Sequence, residues 1–361
     1  MAAGLRTIFH ISKRGIHGLR SEYTNPKFAG IFGALMNRGQ GKEGVRDGPN
    51  AIREAGLFQQ LSDCGITAKD YGDVAIEAVA SDDPWKKVKY CRTVGNGCKM
   101  IAGKMDMIIK DQGVPVMLGG DHATAIGSIL GHAQAIRDVR KQHVGTTSPI
   151  CVLWVDAHAD INTPLTTYTG NLHGCPVSFL LHETMNCIPH GMPGMEWVRP
   201  CLTADRIAYI GLRALDPDEY YLLEKLNVTY FHMRDVDKLG VQQCVERALH
   251  AINPRGDLPL HLSYDIDALD PNEAASTGTP VMGGLTLREG LQIVEHVHQS
   301  GQLSAMDLVE VNPELGTPYQ RAKTMEAAIA IISGALGKPR QGVPPKPGFV
   351  LPIPEALAKD S

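Results

Sequence analysis

The sequence predicts an α/β protein with a mostly parallel β-sheet that is covered by helices on both faces. Short apolar, β-branched segments alternate along the chain with longer segments of helical periodicity, which is the pattern of strands joined by crossover helices. Acidic residues and histidines follow directly after three of the apolar segments. Because ligands in such sheets lie beyond the carboxyl ends of the strands, we expect the functional site at that edge.

The two kinds of segment define the elements in order along the chain. Apolar, β-branched runs predict strands at 28–36, 114–118, 150–155, 206–210, 260–264 and 305–311. Apolar residues at helical spacing predict helices at 97–110, 123–139, 218–226, 241–252 and 287–299. A Gly-rich polar loop at 37–50 leads into a further helix. Neither an internal repeat nor a linker divides the chain, so we expect one domain over residues 22–336.

The composition is that of an ordinary soluble protein. Of 361 residues, 43% are hydrophobic and 20% are charged, with a net charge of −4. Lys and Arg are scattered, so we expect no nucleic-acid partner. No apolar run approaches the ~18 residues that a transmembrane helix needs, so we expect no membrane partner. The eight cysteines form no Cys-x-x-Cys pair, which disfavours zinc-ribbon and thioredoxin sites and favours reduced, packed thiols.

Both ends of the chain differ from the rest. Residues 1–21 are basic, contain no acid and place apolar residues on one helical face, which is typical of a mitochondrial transit peptide. We therefore expect the protein in the mitochondrial matrix, with a basic tail on a cytoplasmic protein as the alternative. A secretory signal is disfavoured because Lys13 and Arg14 interrupt the apolar stretch. Prolines throughout 337–361 predict an irregular C-terminal tail.

Three predicted strands end in residue types that bind metals. The segments are Asp121-His122, Asp156-Ala157-His158-Ala159-Asp160 and Asp265-Ile266-Asp267-Ala268-Leu269-Asp270. In extended backbone, residues i, i+2 and i+4 point the same way. We therefore expect Asp156, His158 and Asp160 to converge, and Asp265 and Asp267 to do the same on another strand.

The charge of this set indicates two metal ions. Four carboxylates brought together without compensation would repel one another, and some would protonate. Two divalent cations would neutralise them and leave His122 and His158 as neutral ligands. Such a pair, about 3.5–4 Å apart, can deprotonate a bridging water. A carboxylate-rich set suits Mn²⁺, Fe²⁺, Co²⁺ or Zn²⁺. The alternative is that each Asp-x-Asp pair forms only a strand-end turn or a helix cap. We expect Asp121 and Asp270 to support the site or to form turns, and we do not expect them to be metal ligands.

The three segments, together with Gly119-Gly120 and Ser263-Tyr264, resemble the metal motifs of the ureohydrolase family, which comprises arginases, agmatinases and formiminoglutamases. The resemblance covers roughly residues 28–335. It implies a three-layer α-β-α fold with a mostly parallel eight-stranded sheet, two Mn²⁺ ions per subunit, and a homotrimer or homohexamer. The implied ligands are His122, Asp156, Asp160 and Asp265 for one ion, and Asp156, His158, Asp265 and Asp267 for the other.

The loop at 162–174 indicates the substrate, because it resembles the corresponding loop of arginases rather than agmatinases. The resemblance implies that Asn162, Thr167 and Thr169 hold the α-carboxylate of L-arginine and that Asp216 meets its α-amino group. Neutral donors can receive a carboxylate and an acid can receive an ammonium group. Agmatine has no carboxylate, so an enzyme that acts on agmatine would not need these donors. The alternative is that residues 162–174 form a solvated loop with no role in substrate binding.

Two further residues match catalytic positions of the family. The resemblance implies that His173 shuttles protons and that Glu310 pairs with the guanidinium group; we count Asp160 with them as catalytic. An imidazole can protonate a leaving amine near neutral pH. The alternatives are that His173 has only a structural role and that Glu310 forms a salt bridge at the surface.

The expected reaction is hydrolysis of L-arginine to L-ornithine and urea by a metal-bridging hydroxide. An agmatinase or another guanidino-compound ureohydrolase is the alternative, and an inactive binding protein on the same fold is disfavoured because all six ligands are present. Thr169 and Ala214 stand where arginases typically have Ser and Asp, which bears on affinity rather than on the reaction. Whether the ornithine serves a urea cycle or proline and polyamine synthesis stays open.

Overall fold

One eight-stranded sheet forms the centre of the protein. The structure, a computed structural model, describes residues 27–140 and 148–340. The strands are β1 (Phe28–Ala34), β2 (Ala68–Val74), β3 (Gly113–Gly119), β4 (Cys151–Val155), β5 (Ile207–Leu212), β6 (Thr229–His232), β7 (Leu260–Asp265) and β8 (Leu303–Val309). Every neighbouring pair is parallel, and the strand order is β2-β1-β3-β8-β7-β4-β5-β6. The predicted parallel sheet is therefore confirmed.

Helices cover both faces of this sheet. They are α1 (Gly48–Glu54), α2 (Leu57–Asp63), α3 (Cys91–Lys110), α4 (Ala125–Arg140), α5 (Pro176–Leu180), α6 (Pro217–Lys225), α7 (Met233–Leu239), α8 (Val241–Ile252), α9 (Leu287–Ser300) and α10 (Pro318–Ala335). Alternate side chains of β4 enter two separate cores: Leu153 and Val155 pack with α8, α9 and α10, whereas Val152 and Trp154 pack with α3 and α4. The fold is thus the predicted three-layer α-β-α arrangement.

Each of the six predicted strands is present, with ends shifted by up to two residues. The prediction missed β2 and β6, which are the two edges of the sheet. An edge strand buries fewer side chains, and β2 is largely exposed, so neither has the continuous apolar run of a central strand. The prediction also missed α10, because its many small residues obscure helical periodicity.

The strand order brings distant parts of the chain together. Strands β3, β8, β7, β4 and β5 are consecutive neighbours, so their carboxyl ends lie side by side. At Gly120 an added Cβ would lie 1.8 Å from the carbonyl oxygen of Met36, which explains a glycine after β3. The carbonyl of Gly120 accepts a 2.8 Å hydrogen bond from the amide of Glu310. This bond ties the end of β3 to the end of β8.

Several predictions concern the chain outside the site. Within the described ranges, none of the helices has both the length and the apolar character needed to cross a membrane. All eight cysteines are free and six of them are buried, as expected for packed thiols. The predicted transit peptide at 1–21 lies outside the described residues, and so does the predicted tail apart from 337–340.

Candidate metal centre

The imidazole of His122 lies at the centre of a cluster of carboxylates. Its Nδ1 atom is 3.1 Å from Asp156 Oδ2, 3.1 Å from Asp160 Oδ2 and 3.2 Å from Asp265 Oδ2. The ring is fully buried. Its other nitrogen, Nε2, lies 2.9 Å from the Ser263 hydroxyl. The partner of Nε2 therefore fixes the ring so that Nδ1 faces the three carboxylates.

A second group of donors shares Asp156 with the first. His158 Nδ1 lies 3.4 Å from Asp156 Oδ1 and 3.2 Å from Asp267 Oδ2. Asp156 consequently lies between the two imidazoles, with one carboxylate oxygen toward each. The ligand-type atoms of His122, Asp156 and Asp160, and those of Asp156, His158 and Asp267, are each close enough together to hold one metal ion.

The residues converge through turns, and the expectation of simple extended backbone was wrong. Asp160 has φ 50°, in the left-handed region that non-glycine residues seldom occupy. Asp267 lies in the 3₁₀ turn Ile266–Ala268 rather than in β7. Turns are needed because the carboxylates also accept backbone hydrogen bonds: His158 donates its amide to Asp156 at 2.7 Å, and Asp267 donates its amide to Asp265 at 2.8 Å.

The cluster fits divalent cations. Although three carboxylates surround His122 Nδ1, this buried atom has no hydrogen-bond partner in the described chain. The nitrogen and oxygen atoms of the cluster lie about 3 Å from one another. This is the separation expected between neighbouring ligand atoms that each lie ~2.1 Å from a shared metal ion. Burial and the charges of Asp267 and Asp156 raise the pKa of Asp265 well above its usual value. Burial and the charge of Asp156 raise the pKa of Asp160 to about 6. Cations bound at this position would favour the ionised carboxylates and so lower the pKa values of both Asp265 and Asp160.

Glu310 and His173 form a pair beside the cluster. Glu310 Oε1 accepts the amide of His122 at 2.9 Å and lies 3.1 Å from His173 Nδ1. The second oxygen, Oε2, is buried and has no hydrogen-bond partner within residues 27–140 and 148–340. Glu310 also has φ 62°, in the left-handed region that non-glycine residues seldom occupy. Burial opposes a charged His173, but the hydrogen bond to Glu310 and the charges of Glu310, Asp160 and Asp121 together outweigh burial and raise the pKa of His173 to about 9.

Four of the five predicted substrate-binding residues, all except Glu310, line one cleft with residues of the cluster. The cleft has a volume of about 140 Å³, and its walls include His158, Asp160, Asn162, Thr167, Thr169, His173 and Asp216. Across it, Asn162 Nδ2 donates to Asp216 Oδ2 at 2.8 Å. The hydroxyls of Thr167 and Thr169 accept the amides of Gly170 and Asn171 within the loop. The structure therefore brings the substrate loop and the metal-type residues to the same opening.

Sequence reasoning missed several residues that support the site. Trp154 Nε1 donates to Asp156 Oδ2 at 2.9 Å, and the Thr279 hydroxyl donates to Asp267 Oδ2 at 3.0 Å. Trp154 and Ser263 each precede an aspartate of the cluster by two positions, so the twofold period of a strand could have identified them. No such spacing identifies Thr279, because it lies in a loop that is separate in sequence from Asp267.

Three further acids have supporting contacts. Glu219 completes the N-terminal capping box of α6 with Asp216 and accepts the amide of Ile161 at 3.2 Å; the spacing of Asp216 and Glu219 signals such a box. Asp121 and Asp270 were predicted to be turn residues. Asp121 accepts the amides of Gly39 and Ala123, and Asp270 accepts those of three loop residues.

The parallel sheet, with a buried histidine–carboxylate cluster at its carboxyl edge that could hold metal ions, is the arrangement of an α/β enzyme. Residues 27–337 match the model of the arginase family. The chain is 45% identical over 341 residues to human "Arginase-2, mitochondrial", and the aligned region covers 94% of this chain and 90% of that protein. It is 46% identical over 314 residues to human "Arginase-1", which covers 87% of this chain and 94% of that protein. The protein belongs to the arginase family.

The fold is also similar to solved structures. The native arginase from Bacillus caldovelox superposes with a TM-score of 0.76 at 30% identity, covering 87% of this chain and 99% of that one. An arginase from Bacillus subtilis gives a TM-score of 0.75 at 32% identity, covering 87% and 99%.

Proposed function

We propose that this protein hydrolyses L-arginine to L-ornithine and urea. The observation that carries the proposal is the cleft in which the Asn162–Asp216 pair faces the imidazole–carboxylate cluster. A donor and an acid at one end fit the α-carboxylate and α-ammonium of an amino acid. The cluster at the other end fits hydrolysis of its guanidinium group. Relatives named arginases support the same substrate.

The cluster would hold two Mn²⁺ ions per subunit. His122, Asp156, Asp160 and Asp265 would bind one ion, and Asp156, His158, Asp265 and Asp267 the other. When bound, two such ions lower the pKa of water and supply a nucleophile near neutral pH. Carboxylate-rich ligands favour manganese over a soft metal. Elemental analysis of purified protein tests both the metal's identity and the number bound.

The chain's own residues would carry the remaining steps. The free Oε2 of Glu310 would accept the planar guanidinium and orient it. Asn162, Thr167 and Thr169 would hold the α-carboxylate, and Asp216 the α-ammonium group. Water loses a proton and adds to the guanidinium carbon, and the bond from that carbon to the ornithine nitrogen breaks. His173 gives a proton to that nitrogen and is restored by the proton that water releases. Asp160 would act through the cluster, where its carboxylate lies against His122.

A substrate comparison tests the proposal directly. Protein reconstituted with Mn²⁺ should release urea from L-arginine far faster than from agmatine or guanidinobutyrate, because neither of these carries both an α-carboxylate and an α-ammonium group. Urea production by each compound is measured at matched concentrations. Equal or greater rates with agmatine would contradict an arginase and favour the agmatinase alternative.

Replacing Asn162 with Ala should weaken binding of L-arginine specifically. We expect KM for L-arginine to rise about tenfold, the effect of losing roughly one hydrogen bond to a charged group, with little change in kcat. The slow reaction with agmatine should be unaffected because agmatine lacks the carboxylate. Steady-state kinetics on both substrates provide the comparison, and Asn272→Ala, in a loop outside the cleft, is the matched control. A parallel loss with agmatine would show that Asn162 acts in some other way.

The proposed location, domain bounds and assembly are supported by the sequence and by the relatives. Residues 1–21 would direct the protein to the mitochondrial matrix, since they are basic and acid-free and several relatives are named as mitochondrial. Residues 22–336 would form a single catalytic domain, with 337–361 as a tail. The subunits would assemble as a homotrimer or homohexamer. Import into isolated mitochondria and light scattering test the location and the assembly.

A further inference from the structure

A second cavity lies on the helical layer behind the cluster. It has a volume of about 380 Å³ and lies between α3, α4 and the segment around Trp197. Leu130 and Ala102 contribute apolar surface, and Arg137 and Arg199 contribute positive charge. Arg137 is twelve residues beyond the first residue of α4, which corresponds to about 18 Å along the helix. The cavity is therefore separate from the cleft that holds the cluster.

One nitrogen of the Arg137 guanidinium, Nη2, has no hydrogen-bond partner among the described residues. Arg137 is only 6% exposed, and its Nη2 atom is buried. No carboxylate within residues 27–140 and 148–340 forms an ion pair with it. The segment 141–147, which follows α4, contains no acidic residue in its sequence. A buried cation without a partner is destabilising unless an anion pairs with it.

The surrounding polar groups leave Arg137 as the group that would attract a ligand. Asp106 is paired with Lys110 at 2.6 Å, and Asp138 accepts a hydrogen bond from Gln134 at 2.7 Å. Both carboxylates line the cavity, and among the described residues neither forms an ion pair with Arg137.

His182 lies near the same guanidinium, and its Nε2 atom is likewise buried and unpartnered among the described residues. Burial, together with the charge of Arg137, lowers the pKa of His182, while Glu183 opposes this. The imidazole therefore adds no second positive charge beside Arg137, and it is not one of the residues that line the cavity. Arg199 is exposed, and its Nη1 is held by the carbonyls of Glu196 and Val198. It supplies positive potential at the opening.

We propose that this cavity binds a small organic carboxylate with an apolar body. The carboxylate would pair with Arg137, and the apolar body would pack on Leu130, Ala102 and the indole of Trp197. The indole is fixed for this contact because its Nε1 donates to the carbonyl of Gly95 at 3.0 Å. An inorganic anion would meet the same guanidinium but would leave the apolar walls uncovered, so it is expected to bind more weakly.

Calorimetric titration of the Mn²⁺-loaded protein tests the proposal with three probes. Isovalerate carries a carboxylate and a branched apolar body, isoamylamine replaces the carboxylate with an ammonium group, and inorganic phosphate has no apolar body. Isovalerate should bind saturably, isoamylamine should not bind, and phosphate should bind more weakly than isovalerate. Absence of isovalerate binding, or stronger binding of either other probe, would overturn the proposal.

Two variants assign the binding to this cavity. Arg137→Met should weaken isovalerate binding by at least about tenfold, the loss of a hydrogen-bonded charge. Arg140→Met, on the same helix but outside the cavity lining, should bind isovalerate like the unaltered protein. Without ligand, Arg137→Met should unfold at the same temperature or higher, because it removes an unpaired buried charge. A marked fall in melting temperature, or unchanged affinity, would mean that Arg137 is structural and contradict the proposal.

Discussion

Replacing Asp156 with Ala should abolish metal binding at the cluster and reduce urea release on the order of a thousandfold or more, beyond the loss seen when one transition-state donor is removed. Asp156 is the one carboxylate that contacts both imidazoles, with Oδ2 toward His122 and Oδ1 toward His158. Both candidate ion positions include it. Its loss therefore removes a ligand from each position at once, whereas Asp160 or Asp267 serves a single one.

Metal content by elemental analysis and urea release from L-arginine are the two measurements. Asp63→Ala, an exposed carboxylate on α2, is the control and should retain both. The metal-free variant should remain folded, because removing one of several crowded buried carboxylates relieves repulsion. A folded Asp156→Ala protein that keeps two ions and full activity would show that the cluster is not the metal site.

The sequence predicted which residues form the cluster better than it predicted their geometry. The residue types after β3, β4 and β7 and their charge were sufficient to indicate a metal pair. The positive φ values of Asp160 and Glu310 were not predictable, because they depend on contacts made after the strands are assembled. The contact between Thr279 and Asp267 is similarly invisible in the sequence, since it joins two loops whose spacing is set only by the fold.

Strand order limits sequence reasoning in the same way. Periodicity identified the six central strands, but it could not show that β8 lies between β3 and β7. That position explains why Glu310, at the end of β8, reaches both His122 and His173. The general rule that sites lie at the carboxyl edge gave the right location, and the strand order then determined which ends are neighbours.

Replacing His173 with Asn should lower kcat for L-arginine by about a hundredfold, which is typical for losing a general acid. His173 lies against Glu310, and that contact is the main reason that its pKa is raised to about 9 despite burial. The imidazole therefore keeps its proton at neutral pH and can transfer it to the departing amine. Asn preserves a polar side chain but has no proton to transfer.

The metal-binding residues are untouched in this variant, so metal content should be unchanged and KM should change by less than kcat. His250→Asn, on the exposed face of α8, provides the control for general effects of losing a histidine. A normal kcat in His173→Asn would move the proton-transfer role to another group. A loss of metal together with activity would instead mean that His173 acts by supporting Glu310 and, through the amide of His122, the cluster itself.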